Sequence, residues 1–131
     1  MRTKQALSPA LIACVWLVGC ARAPSEMSYS RDVRPILTAY CLECHLPGNS
    51  QHPPGKGYAQ NTFSMENYNE LMKGTKFGPV IKPGDATGST LVRTVEGKVD
   101  PRIRMPHGKG PLPEKDATII HNWVAQGAKN N

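Results

Sequence analysis

The sequence predicts an all-α fold: one small domain of about four short helices joined by long Pro/Gly-rich loops. Three observations predict it. Apolar residues recur at helical spacing, most clearly at Val33, Ile36, Leu37 and Tyr40 and again at Ile119, Ile120, Trp123 and Val124. The intervening stretches are not β-rich, and 12 Pro with 12 Gly imply much loop. The length, 131 residues, suits one domain, and a hydrophobic content of 39% is low for a large core. A domain this small and loop-rich needs stabilisation beyond its own apolar side chains.

Residues 1–19 read as an export signal. Arg2 and Lys4 give a basic start, and the apolar run Ala6–Gly19 is too short to span a bilayer. Its end, Leu17-Val18-Gly19-Cys20, resembles the lipobox of bacterial lipoproteins. That resemblance implies cleavage before Cys20 and lipid on its sulfur. The alternatives are an ordinary secretory signal, cut after Ala21 or Ala23, or an uncleaved anchor. The expected location is the periplasmic side of the cell envelope, with the chain lipid-anchored to a bacterial membrane. Residues 20–28 read as a linker and residues 29–131 as the domain.

The first helix is predicted over Ser30–Cys44, with Ser30 as cap and Asp32 in the first turn. Pro35 fits only near a helix start. Residues 46–62, including Pro53-Pro54-Gly55-Lys56-Gly57, read as loop, with His52 exposed to solvent. A short helix follows over Phe63–Gly74, with Ser64 as candidate cap and Gly74 as stop. Met65 and Met72 on it read as packing residues. Gly78-Pro79 and Pro83-Gly84 mark turns, and Ala86–Val95 is a third helix candidate. The last helix is predicted over Leu112–Gly127, with Pro113, Glu114 and Asp116 at its start. Its partner is the Val33–Tyr40 face, with Trp123 as anchor.

The chemistry sits at the end of the first helix, in Cys41-Leu42-Glu43-Cys44-His45. This C-x-x-C-H spacing is the signature of covalent c-type haem attachment. Two thiols three residues apart reach two vinyl groups on one porphyrin edge, and His45 is then held over the iron as proximal ligand. A structural zinc site would need Cys41, Cys44 and two of His45, His52, His107 and His121 at irregular spacing. A thioredoxin-like pair would need a βαβ context that the chain lacks. Cys14 and Cys20 lie in the signal region, so no cysteine pair is left for a disulfide. A carbonyl of Pro79 or Pro83 is a candidate acceptor for the His45 ring N–H, the alternative being that both prolines only mark turns.

The second decisive stretch is Met105-Pro106-His107-Gly108. A methionine held in a loop by a following proline suits the distal axial position, and thioether ligation raises the potential of a c-type haem. His107 is the rival, giving bis-histidine ligation. The formal charge is +6, of which Arg2 and Lys4 in the signal segment account for two. The remainder is too scattered for a nucleic-acid partner and is compatible with docking to an acidic redox protein. Arg93, Arg102 and Arg104 read as a solvated basic face, with haem propionates as the alternative partner.

Assembled, these residues resemble a monohaem class I c-type cytochrome. More narrowly, the chain is similar to the small cytochrome c domain first catalogued in planctomycetes. The matching residues run from Asp32-Val33-Arg34-Pro35-Ile36-Leu37 through the Cys41–His45 motif to Tyr68-x-x-Leu71-Met72-Lys73-Gly74. They continue with Pro83-Gly84-Asp85, Ser89-x-Leu91, Met105-Pro106 and Trp123-x-x-x-Gly127-Ala128. The resemblance implies an all-α fold around one covalent haem c, ligated by His45 and Met105. His107 stands where a second proline is common. The implied function is single-electron transfer between redox protein partners, with no catalytic residue. A haem enzyme or ligand sensor with an open distal site is the alternative. A structural lipoprotein, in which haem mainly holds the domain together, is a third reading.

Overall fold

The computed structural model describes residues 25–131. The expected signal segment, Cys20 and the start of the linker lie outside the described residues. Among those described there are helices and no strand, only an isolated bridge between Thr75 and Gly78. No helix among them is long and apolar enough to cross a membrane.

The first helix begins at Tyr29, and its cap lies two residues before the predicted Ser30. A π-turn over Tyr29–Val33 runs straight into α1, Arg34–Tyr40. Ser28 is the cap, not Ser30: its hydroxyl accepts from the Arg31 N–H, and the Asp32 carboxylate accepts from the Ser28 N–H at 2.8 Å. This reciprocal pair satisfies two of the donors that a helix start leaves open. Pro35 lies in the first turn of α1. The wider π-turn ahead of it accommodates a ring that lacks an N–H and would crowd a regular α-turn. Ser25 and Met27, expected as linker, are already hydrogen-bonded to the Gln126 side chain.

The expected 46–62 loop contains a short helix, α2, over Lys56–Asn61. Its glycine and lack of an apolar stripe hid it from periodicity. Helix α3 covers only Tyr68–Lys73, because Asn67, not Ser64, caps it by accepting from the Glu70 N–H at 3.0 Å. Gly74 ends it with φ +81°, as predicted. Helix α4 spans Thr90–Val95 behind Ser89, whose buried hydroxyl donates to the Asp85 carbonyl at 2.8 Å. A single 3-10 turn follows at Pro101–Ile103.

Helix α5, Glu114–Ala125, starts after Pro113 with Glu114 and Asp116 in its first turn, where carboxylates oppose the helix dipole. It closes on Gly127 at φ +102°, with Ala128 N–H bonded to Trp123 C=O and Gly127 N–H to Val124 C=O. That is the double-bonded αL terminus glycine favours. Ile120, Trp123 and Val124 are fully buried together with Val33, Leu37, Leu71 and Val92. Helix α5 packs against α4 and against the π-turn, so its partner is the beginning of the first helix more than the Ile36–Tyr40 end. Trp123 anchors this crossing: its ring sits 5.8 Å from Tyr29 and 6.5 Å from Tyr68, centroid to centroid. Its indole N–H donates to the Lys129 carbonyl.

Candidate functional site

Helix α1 stops at Tyr40, and Cys41 to His45 form a tight turn beyond it instead of continuing the helix. Cys41 N–H still reaches Leu37 C=O at 2.9 Å, and His45 N–H closes the turn on Cys41 C=O at 3.0 Å. Neither cysteine is in a disulfide. Cys41 is buried and Cys44 exposed. Burial pushes the Cys41 thiol up to about 11, with the neighbouring Cys44 adding to the rise and Lys109 opposing it. Both sulfurs are therefore carried on one short turn, one against the core and one at the surface.

His45 is 6% exposed. Its Nδ1 lies 3.2 Å from the Phe63 carbonyl oxygen. A carbonyl only accepts, so Nδ1 carries the proton and Nε2 presents its lone pair. Burial holds the imidazole pKa below its ordinary value, and the bond to Phe63 partly opposes that. The ring is thus kept neutral, the form that binds a metal. The candidate acceptor, Pro79 or Pro83, is not the one used. Both prolines are exposed, whereas Met65 N–H bonds to His45 C=O at 2.8 Å and draws the 63–65 segment alongside the ring. The Phe63 ring meets the imidazole edge-on at 5.2 Å.

Helix α2 is attached to the same turn. Tyr58 N–H donates to Cys44 C=O at 2.9 Å, and Gly55 N–H to Leu46 C=O at 3.0 Å. A stretch expected to be a flexible loop is in fact bonded to the motif. His52 is exposed, as expected.

Met105 is positioned from α4: its N–H donates to Thr94 C=O at 3.1 Å, and its partly buried side chain packs against the core. Pro106 behind it is buried, and His107 is exposed. Lys109 pairs with Glu43 at 3.1 Å, so the loop carrying Met105 returns to the Cys41–His45 turn. Such a pair between exposed groups adds little stability. It does bring the two stretches singled out in the sequence to one side of the domain.

The other candidates take structural places. Met65 is 3% exposed in the core, and Met72 is partly buried against it. Arg102 pairs with Asp100, and Arg93 is exposed. His121 bonds to Glu96 at 2.8 Å, tying α5 to the end of α4. Among the described residues no group of three or more His, Cys, Asp or Glu side chains is placed to hold a metal ion. The zinc alternative finds no ligand set there. A haem, held by two thioethers and one imidazole, needs no such group, and a turn offering two thiols and a Nδ1-protonated histidine fits it.

Three features of this site were not read from the sequence: the Phe63 acceptor, the α2 attachment and the Glu43–Lys109 pair. The first is a backbone group and has no side-chain signal. The second had one, the closely spaced Gly55 and Gly57 after two prolines. In comparisons with known proteins, no family model, no curated protein and no solved structure matches the chain.

Proposed function

We propose that this protein is an exported, lipid-anchored monohaem c-type cytochrome that passes single electrons between redox protein partners. The observation that carries the reading is the Cys41–His45 turn, with Nδ1 of His45 committed to the Phe63 carbonyl and Nε2 left as donor atom. Cys41 and Cys44 would each add S–H across a porphyrin vinyl group, a step that consumes no oxidant. When bound, haem c supplies a one-electron iron(III)/iron(II) couple.

The chain's own residues do the rest. His45 offers a neutral, oriented imidazole, and the Phe63 carbonyl raises its basicity by accepting from Nδ1. Met105 would hold the iron through a soft thioether, a ligand type that favours the reduced state. A haem held by both His45 and Met105 would leave no iron position open to a substrate. The cytochrome c-like fold, the cleavage before Cys20 and the lipid on it belong to the same proposal. The lipid would keep the domain near membrane-bound partners.

The test is an optical spectrum of the mature protein, made with a haem-maturation system, in both oxidation states. Covalent low-spin haem with the weak far-red band of a methionine–iron bond is the expected result. Low-spin haem without that band would move the distal ligand to His107. High-spin haem that binds carbon monoxide readily would favour the enzyme or sensor reading. Absence of covalent haem would overturn the proposal.

A further inference from the structure

Glycine is a poor helix residue, yet α2, only six residues long, carries Gly57 at its second position. The structure gives a reason. A Cβ built on Gly57 would lie 2.6 Å from Cε1 of His45, 2.9 Å from Nε2 and 3.0 Å from Nδ1. Ordinary contact begins at 3.4 Å. An atom in the ring plane beyond Cε1 would be much nearer to Cε1 than to either nitrogen. Nearly equal distances to all three put the missing Cβ over the face of the imidazole.

Gly55 shows the same close approach to the other half of the turn. A Cβ there would lie 2.4 Å from the Cys44 carbonyl oxygen and 2.8 Å from that of Glu43. These are backbone atoms that cannot step aside. Tyr58 N–H, bonded to Cys44 C=O, fixes the helix at this distance. The Pro54-Gly55-Lys56-Gly57 stretch is therefore a bare backbone surface laid against the motif.

We propose that Gly57 is a positioning residue for His45. Its backbone covers one face of the imidazole while the Phe63 ring meets it edge-on, so the ring cannot rotate about its Cβ–Cγ bond. Phe63 C=O then fixes the direction of Nδ1, and the orientation of Nε2 follows. This rests on His45 as the proximal haem ligand. It adds that the plane of that ligand, not only its distance, is set by α2.

The experiment uses the haem-loaded protein and its Gly57→Ala variant. Covalent haem is first quantified in both. Electron paramagnetic resonance of the oxidised form and a redox titration then read the ligand plane and basicity. The expected result is retained haem, a shifted largest g value and a raised potential, because the displaced ring lengthens its bond to Phe63. The core truncation Ile120→Val, which leaves the imidazole face untouched, is expected to move neither. Haem present with unchanged g values and potential in Gly57→Ala overturns this proposal alone. Absence of covalent haem from the unmodified protein overturns the functional reading and this proposal with it. Where Gly57→Ala yields no folded protein, the reduced unmodified protein decides. A nuclear Overhauser contact between the Gly57 Hα and the His45 ring protons supports the proposal, and its absence overturns it.

Discussion

Nδ1 of His45 donates to the Phe63 carbonyl across a separation of 18 residues, at 3.2 Å. On its other side, the Phe63 N–H donates to Asn61 Oδ1 at 3.2 Å. Asn61→Ala loosens Phe63 at its N–H, and is expected to lengthen the bond that its carbonyl accepts from Nδ1. A less electron-rich imidazole stabilises iron(III) less, so the potential rises. A difference of about 0.5 kcal/mol between the two oxidation states corresponds to roughly 20 mV for a one-electron couple. Redox titration checks this, and an unchanged potential would show that Phe63 does not tune the ligand.

Met105 and His107 differ in how they are held, and their variants are expected to differ accordingly. Met105 is packed against the core and bonded to Thr94, whereas His107 is exposed. Met105→Ala should abolish the far-red methionine band and lower the potential, since a thioether favours the reduced iron. His107→Ala should leave both unchanged. The reverse pattern would make His107 the distal ligand.

The two helices with the strongest apolar periodicity, around Leu37 and Ile120, were legible because they bury one face, and burial is what periodicity reports. Their caps were less so: Ser28 beat Ser30 by two residues, a choice made by the Asp32 carboxylate and not by residue type. The grouping of Cys41, Cys44 and His45 on one short turn was legible because spacing alone places them together. The acceptor for His45 was not, because any backbone carbonyl can serve and only the path of the chain selects Phe63. Helix α2 was hidden for a related reason. It is held by contacts to the motif's backbone, for which glycine is needed and an apolar stripe is not.

The aromatic cluster at the α5 crossing sets up a contrast between two tyrosines. Tyr68 Oη donates to the Ala128 carbonyl at 2.9 Å. Tyr29 Oη is buried without a hydrogen-bond partner, although its ring packs edge-on against Tyr68 at 5.3 Å. Tyr68→Phe should therefore cost about 1 kcal/mol, leaving the Ala128 carbonyl short of a donor. Tyr29→Phe should be neutral or stabilising, because it removes a desolvated hydroxyl and keeps the ring. Denaturant unfolding of the two variants tests the pair, and equal losses would contradict the assignment.

Trp123 is fully buried at the same crossing. Trp123→Ala is expected to cost about 3–5 kcal/mol, a cavity that size being only partly filled by relaxation. For a small domain of marginal stability, this is enough to prevent accumulation of folded protein. A Trp123→Phe variant should fold with a smaller loss, retaining the packing against Tyr29 and giving up the hydrogen bond to Lys129.

The start of the first helix should make stability pH-dependent in a defined direction. Asp32 accepts from the Arg31 guanidinium and from the Ser28 N–H, and these bonds hold its carboxyl below the ordinary carboxylate value. A lowered folded-state pKa means that the unfolded chain takes up the proton first as pH falls. The contribution of Asp32 is therefore complete above the ordinary range, near 4, and is lost as pH drops through the folded value. Asp32→Asn should melt below the unmodified protein at neutral pH, and the gap should close on acidification, beginning near the ordinary carboxylate range and ending below it. Ser28→Ala, by contrast, removes an uncharged cap and should cost about 1 kcal/mol at every pH at which Asp32 stays ionised. Thermal unfolding of both variants across this range separates the charge from the cap. A gap for Asp32→Asn that stays constant with pH would mean that the carboxylate acts only by its shape.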